Sequence, residues 1–273
     1  MDGLSELNPV MVGTPWLFWE LFSGIDDHRF LQVAEAGMYQ VLASILLDHL
    51  IDKHIQSPES AILLHQSLYA AGEAKYRAIF SDSENFWAHY DRLATDHITG
   101  LSMELESRID PRLLSEDNLR ISSDGKVSPI VTTIAALTEL SGQPTLLDPI
   151  ERSLKHIAIA SQLLDDVGDW QEDLQSGHLT NFMGRLSPVE SWTNSTWPTQ
   201  SFLQLQIDNT WMDVTCLGDV KAWLALSISE VEGLGCPGWV TYVQGYWDRA
   251  DHHQTRFTAG HIHRVIGPMV QME

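Results

Sequence analysis

The sequence has few cysteines and few basic residues. Cys216 and Cys236 are the only cysteines among 273 residues. Two cysteines do not make a disulfide framework, and so low a content is typical of proteins from a reducing cytosol. Only 16 Lys and Arg stand against 37 Asp and Glu, which gives a formal net charge of −21. Because such a chain repels nucleic acid and anionic membrane surfaces, we expect neither as a partner.

Features of exported and membrane-spanning chains are also lacking. The first 22 residues contain acids and no basic n-region, so they do not resemble a signal peptide. No uninterrupted apolar run reaches the roughly 20 residues that cross a bilayer. We therefore expect a soluble, cytoplasmic protein without stable membrane insertion.

The alternation of polar and apolar residues that marks a half-buried strand is absent as well. With 44% hydrophobic residues the chain can bury a sizeable core. The polar segment "SSDGK" and residues 186–200 are predicted loops. Apolar periodicity predicts helices over about 30–54, 58–80, 81–108, 128–140, 146–170, 201–232 and 239–265. Because nothing marks a domain boundary, we expect an all-α bundle forming one domain over residues 1–273.

A dense acidic segment follows one apolar run. It contains Asp165, Asp166, Asp169, Glu172 and Asp173. In a helix, Gln162, Asp166, Asp169 and Asp173 would share one face. The apolar neighbours predict a largely buried helix, in which unpaired carboxylates are expensive. Bound Mg²⁺, a hard ion that takes oxygen ligands, would resolve this conflict. A solvated acidic face is the alternative.

A second acidic pair, Asp48 and Asp52, has i, i+4 spacing at the end of another long apolar helix. Acidic faces on two helices can meet across the cavity of a bundle. Such a cavity would suit a cluster of metal ions that holds a diphosphate. For this pair, too, a solvated helix face is the alternative.

Together these segments resemble the trans-isoprenyl diphosphate synthases and the related class I terpene synthases. "QLLDDVGD" is similar to the second aspartate motif of that family, Q-x-x-D-D-x-x-D, and "EDLQSGHLT" resembles its continuation D-L-x-x-G-K-x-T. "LDHLID" stands where the first motif, D-D-x-x-D, would be, with His49 in place of the second aspartate. Lys126 lies 39 residues before Asp165, near the family spacing of a lysine. The resemblance covers about residues 30–182.

The resemblance implies a helical bundle around a deep central pocket, in which three Mg²⁺ ions bind an allylic prenyl diphosphate. The carboxylates that it assigns to the metal are Asp48, Asp52, Asp165, Asp166 and Asp169. The residues that it suggests for the diphosphate are Lys126, Gln162, Arg77, His178 and Arg256. It also suggests a homodimer.

The functional hypothesis depends on the places where this sequence differs from the family. The basic groups that hold isopentenyl diphosphate in chain-elongating members are missing, and so is the N-x-x-x-S-x-x-x-E motif of many cyclases. We therefore expect a magnesium-dependent terpene synthase with unusual motifs, which cyclises or quenches a carbocation. In the elongation enzymes that this sequence resembles, large aromatic residues at the places of Ala43 and Ser44 stop the growing chain. By that resemblance, the small residues here suggest a C20 or longer substrate, with helix packing as the alternative. A prenyltransferase and an inactive or regulatory synthase subunit are the alternatives.

Aromatic rings stabilise carbocations without reacting with them, so a cyclase pocket needs them. The candidates are Trp87, Phe86, Trp211, Trp223 and Tyr246, with core packing as the alternative for each. Four histidines crowd the C-terminal helix, and we expect them at the surface: His252, His253, His261 and His263.

Overall fold

The computed structural model describes residues 9–51, 55, 57–186 and 198–270. All repetitive structure in these ranges is helical, which confirms the all-α prediction. The α-helices are α1 (Pro9–Leu17), α2 (Asp27–Ile51), α3 (Pro58–Ile79), α4 (Glu84–Ser107), α5 (Glu116–Ser141), α6 (Leu147–Ser176), α7 (Asn181–Leu186), α8 (Gln200–Thr210), α9 (Met212–Glu230) and α10 (Pro237–Val270). The predicted loop over residues 186–200 falls almost wholly outside the described residues, as do Asp52 and Lys53.

Local sequence signals account for several helix ends. Pro58 stands at the first position of α3, where its missing N–H costs nothing. Thr199 caps α8, because its hydroxyl accepts a hydrogen bond from the Phe202 amide at 3.2 Å. The predicted helix over residues 201–232 is instead two helices. Trp211, with a φ of 53°, ends α8 in the left-handed conformation before α9 begins.

The predicted loop at "SSDGK" is wrong, because these residues lie inside α5. Gly125 is helical here and allows α4 to approach closely. A Cβ on Gly100 of α4 would lie 2.6 Å from the Cα of Gly125 and 2.9 Å from the carbonyl oxygen of Ile121. A tertiary contact therefore overrides the loop composition, because two glycines together let the helix backbones touch.

The chain divides into two compact units. The first contains residues 1–98, 126–154 and 230–240. Its core includes the stacked rings of Phe18 and Trp239, 4.9 Å apart between centroids. The indole N–H of Trp239 donates to the Ser153 hydroxyl at 2.8 Å, so the one polar group of this buried side chain has a hydrogen-bond partner.

The second unit contains residues 99–125, 155–229 and 241–273. Its core is built mainly from the buried faces of α6 and α9, including Leu163, Val167, Leu217 and Leu224. Helices α4, α5, α6, α9 and α10 contribute residues to both units. The expectation of one domain stays a prediction.

Helix α2 is an exception to the expected absence of membrane-length helices. Within the described residues it is the one helix long and apolar enough to cross a bilayer, judged by length and composition alone. Much of it is buried, including Phe30, Val33 and Val41, and it packs against α3. A core helix of a soluble protein passes the same test, so this is weak support for a membrane span.

Candidate active site

The acidic segment lies within α6, which continues to Ser176. Its acids differ in exposure: Asp166 is 3% exposed, whereas Asp165 and Asp169 are exposed. Helical periodicity explains the difference, since Asp166 shares a face with the buried residues Leu163 and Trp170. One carboxylate of the run is therefore carried into the interior, while its two predicted partners face outward.

Asp166 is oriented by its own helix. The side-chain amide of Gln162, one turn earlier, donates from Nε2 to Oδ1 of Asp166 at 2.9 Å. This hydrogen bond offsets part of the free energy lost when a carboxylate leaves water. Gln162 is thus a partner of an acid that the resemblance assigns to the metal.

Around Asp166 the second unit has a mixed polar interior. Burial raises the pKa of the Cys216 thiol to about 12, and the negative charges of Asp166, Asp219 and Asp213 add to the rise. Arg185 opposes it, and its guanidinium also pairs with Asp219 at 2.6 Å. A buried thiol with a raised pKa is a weak nucleophile at neutral pH.

The continuation of the motif has a structural role. Gly177, with a φ of 75°, ends α6: its N–H donates to the Leu174 carbonyl at 3.2 Å, and the N–H of His178 donates to the Asp173 carbonyl at 2.8 Å. Two such bonds form a Schellman cap. Thr180 then begins α7, since its hydroxyl accepts from the Met183 amide at 3.4 Å. The Gly and Thr of this motif therefore shape the chain around the half-buried His178.

The oxygen ligands of this segment fit magnesium. In the described part of the chain no three His, Cys, Asp or Glu side chains form a metal-holding group. Magnesium does not need one, because it is usually bound by one or two carboxylates together with substrate phosphates and water. Asp166, with Asp165 and Asp169 on the same helix, would be the carboxylates to hold such an ion.

In the first unit, Asp48 lies near a pocket of about 300 Å³. Gln40 and Ser44 of α2 line this pocket, and the half-buried Asp48 follows Ser44 by one turn, about 6 Å farther along the axis. We call it the α2–α5 pocket. Its lining residues are Gln40, Ser44, Leu47, His65, Gln66, Tyr69, Tyr90, Leu93, Ala94, His97, Ile98, Pro129 and Thr132. Of the two small residues that precede Asp48, Ser44 lines the pocket and Ala43 is packed in the core.

The basic residues proposed for the diphosphate are differently placed. Lys126 is half-buried within α5. Arg77 is exposed, pairs with Glu73 at 2.6 Å and lies over the Trp87 ring. Arg256 is also exposed, and its guanidinium donates to His253 at 3.2 Å. Both arginines are therefore at the surface, and each contacts a side chain one turn earlier in its own helix.

The five candidate aromatics do not line the α2–α5 pocket. Phe86 is fully buried and stacks on Phe80 at 4.3 Å. The indole N–H of Trp87 donates to the Phe80 carbonyl at 2.8 Å. Phe86 is thus a packed core ring, and the half-buried Trp87 lies against it with 5.2 Å between ring centroids. The aromatic residues that do line the pocket are Tyr69 and Tyr90, which sequence reasoning missed.

The remaining three candidates lie in the second unit, each against other side chains. Trp223 lies under the guanidinium of Arg120 at 4.7 Å, and Tyr246 under that of Arg249 at 5.1 Å. Trp211 stacks on a histidine of α10, His261, with 4.9 Å between ring centroids. Contact with a cation or an imidazole is enough to explain the position of each of these rings without a role in substrate binding.

His261 is not a surface residue, contrary to expectation. It is 1% exposed, and its Nε2 lies 2.8 Å from Oδ1 of Asp213. Because the Arg264 guanidinium can only donate to Nδ1, at 3.0 Å, Nε2 carries the proton that Asp213 accepts. The cluster joins the start of α9 to α10. His252 and His263 are exposed, as expected, and His253 is half-buried.

Comparison with known proteins gives the fold. No protein-family model and no curated protein matches the chain. Among solved structures it is similar to a polyprenyl synthase from Roseobacter denitrificans, with a TM-score of 0.68 and 14% sequence identity. The match covers 92% of this chain and 86% of that one. The chain therefore has the same all-α helical fold as that polyprenyl synthase.

Proposed function

We propose that this protein is a magnesium-dependent enzyme of the class I terpene synthase type. It would ionise an allylic prenyl diphosphate and cyclise or quench the resulting carbocation. One observation carries the proposal: a carboxylate, Asp166, is buried on α6 within a segment similar to Q-x-x-D-D-x-x-D, in a chain with this fold. A helix would gain no stability from burying that charge without a cation, which supports a functional role.

In this proposal Asp165, Asp166 and Asp169 hold magnesium in the second unit, and Gln162 orients Asp166. Asp48 supplies a carboxylate in the first unit, and Asp52 stays a predicted ligand. Bound Mg²⁺ would act as a Lewis acid that stabilises the departing diphosphate. Of the predicted diphosphate contacts, the half-buried Lys126 and His178 suit that role better than the exposed arginines.

The α2–α5 pocket would take the prenyl chain. Leu47, Leu93 and Ile98 provide apolar contacts, and Asp48 follows one turn beyond Ser44. A substrate with its diphosphate near Asp48 would therefore lay its hydrocarbon tail along this face of α2. The pocket volume of about 300 Å³ lies at the lower end for ligand sites, so a C20 chain would extend beyond it. A C20 or longer substrate stays a prediction.

A chain-elongating or acceptor-specific prenyltransferase is the second candidate. The structural similarity to a polyprenyl synthase favours it. Against it stands the small number of basic residues, 16 Lys and Arg in all, since an elongating enzyme must hold a second diphosphate. Under either proposal we expect a soluble, cytoplasmic enzyme that forms a homodimer.

Purified protein with Mg²⁺ should release inorganic pyrophosphate from at least one of geranyl, farnesyl, geranylgeranyl or geranylfarnesyl diphosphate. Excess EDTA should abolish that release, because magnesium neutralises the leaving group. Each substrate is incubated with and without isopentenyl diphosphate, and extracts are analysed by gas chromatography–mass spectrometry. Release that requires isopentenyl diphosphate would replace the terpene synthase with the elongating enzyme. No release from any substrate would refute both.

Filling the pocket should impair use of the substrate. Ser44→Phe places a ring among the lining residues, so we expect KM for the prenyl diphosphate to rise by about tenfold or more. The matched control is Ser67→Phe on α3, where the exposed Ser67 donates its hydroxyl to the Leu63 carbonyl outside the pocket lining. Equal steady-state kinetics for the two variants would show that the prenyl chain binds elsewhere.

A further inference from the structure

The α2–α5 pocket contains a buried polar network that a hydrocarbon chain would not need. Gln40 is 5% exposed and Tyr90 is 6% exposed. Nε2 of Gln40 donates to the phenol oxygen of Tyr90 at 2.7 Å, across from α2 to α4. Buried polar groups are kept only where hydrogen bonds satisfy them, so this pair requires an explanation in a pocket that is otherwise largely apolar.

The hydrogen-bonding capacity of Tyr90 is used within the protein. Burial raises the pKa of Tyr90 well above its ordinary value, and a hydrogen bond to Tyr69 on α3 raises it further. The amide nitrogen Nε2 of Gln40 can only donate, so the phenol oxygen of Tyr90 is the acceptor of the bond between them. The phenol of Tyr90 thus fixes the orientation of the Gln40 amide.

This orientation leaves one acceptor for a ligand. Within the described residues, the Gln40 side chain donates its hydrogen bond through Nε2, and Gln40 is one of the residues that line the pocket. Its carbonyl oxygen Oε1 is therefore the acceptor that this side chain can offer to a ligand. An amide oxygen accepts two hydrogen bonds. A water molecule fits such a place, since a cavity of about 300 Å³ is roomy and offers further polar partners in Ser44 and Thr132.

We propose that Gln40 holds a water molecule in this pocket, that this water captures the carbocation, and that the product is an alcohol. The inference rests on the proposed function, which supplies the cation. The oxygen of the water forms a C–O bond with the cationic carbon, and one of its O–H bonds breaks. The net reaction converts prenyl diphosphate and water into an alcohol and pyrophosphate, without oxidant or reductant.

A proton acceptor also lines the pocket. His65 lines the pocket one turn before Tyr69 on α3, and their rings are 6.3 Å apart between centroids. Burial lowers the pKa of His65, so its imidazole is neutral at physiological pH and can take the proton from the attacked water. Gln40 is the positioning residue, and His65 is the group that removes the proton.

The test determines which product receives the oxygen atom of water. The protein, Mg²⁺ and the diphosphate that releases pyrophosphate are incubated in H₂¹⁸O, and products are analysed by mass spectrometry beside a protein-free control. We expect an alcohol that contains ¹⁸O. Label in the pyrophosphate instead would mean P–O cleavage and would overturn the inference. Pyrophosphate release with hydrocarbon products alone would overturn it while the proposed function stands. No release would overturn both.

Two variants test whether Gln40 positions the water. Gln40→Leu removes the acceptor, and Tyr90→Phe removes the group that orients it. We expect the ratio of alcohol to hydrocarbon, per pyrophosphate released, to fall by about tenfold in Gln40→Leu and by less in Tyr90→Phe. Tyr76→Phe is the matched control, because this fully buried phenol contacts the Thr133 hydroxyl at 3.2 Å rather than the network. An unchanged ratio in a folded Tyr90→Phe and in Gln40→Leu would refute the assignment.

Discussion

Asp166→Asn is expected to lower the rate of pyrophosphate release by at least about a hundredfold, because metal-ion stabilisation of a leaving group is worth several kcal/mol. The same change should leave the free energy of unfolding equal or higher. Asn keeps an oxygen that accepts from Gln162 and removes a charge that is expensive to bury. Loss of activity without loss of stability is typical of a residue retained for function.

The measurements are steady-state pyrophosphate release and urea unfolding without metal. A third readout is the rise in melting temperature on addition of Mg²⁺ and pyrophosphate, which Asp166→Asn should reduce because ligands that bind only the folded state stabilise it. Glu172→Gln is the matched control, since Glu172 is an exposed acid of the same segment. Full activity in Asp166→Asn would end the metal assignment, and a similar loss in Glu172→Gln would reduce it to a general charge effect.

Gly100→Ala is expected to destabilise the protein by about 1–3 kcal/mol, although Ala is the better helix former. Its Cβ would lie 2.6 Å from the Cα of Gly125 and within 3.0 Å of the carbonyl oxygens of Ile121 and Ser122. All three are backbone atoms, so no side chain can rotate away. Helices α4 and α5 would have to separate, and close-packed interiors resist such a shift.

The matched control is Gly245→Ala on the exposed side of α10, where a Cβ meets nothing within 4 Å. It should stabilise by about 0.5–1 kcal/mol, because Ala loses less backbone entropy than Gly. Chemical unfolding of both variants gives opposite signs if helix contact decides the effect. A stabilised Gly100→Ala would show that α4 and α5 are not in close contact at this position.

Most helices could be predicted from local patterns, and the exceptions have tertiary causes. Apolar periodicity located α2, α3, α4 and α6 to within a few residues. "SSDGK" has the composition of a loop, yet it is helical because Gly125 meets Gly100 from another helix. Trp211 breaks a continuous helical pattern and stacks on His261, a residue 50 positions later. No local signal specifies either contact.

One part of the candidate site could likewise be predicted from the sequence, and another part could not. The acidic segment and the spacing of Asp48 from Ser44 could be read directly, because helical register depends only on neighbours in the chain. The pocket aromatics could not. Phe86 and Tyr90 lie one turn apart on α4, but Phe86 packs into the core and Tyr90 lines the pocket. Whether a ring packs into the core or lines a pocket depends on neighbouring helices that are distant in sequence.

By itself the sequence determined that the chain is helical and strongly acidic and that two of its helical segments contain the candidate metal-binding carboxylates, since charge and periodicity are properties of neighbouring residues. Only the tertiary structure decided that Asp166 alone among the three predicted α6 ligands is buried, that α5 is continuous, and that Gln40 and Tyr90 meet within the pocket. Burial and hydrogen bonding between helices depend on long-range packing, which local preferences do not encode.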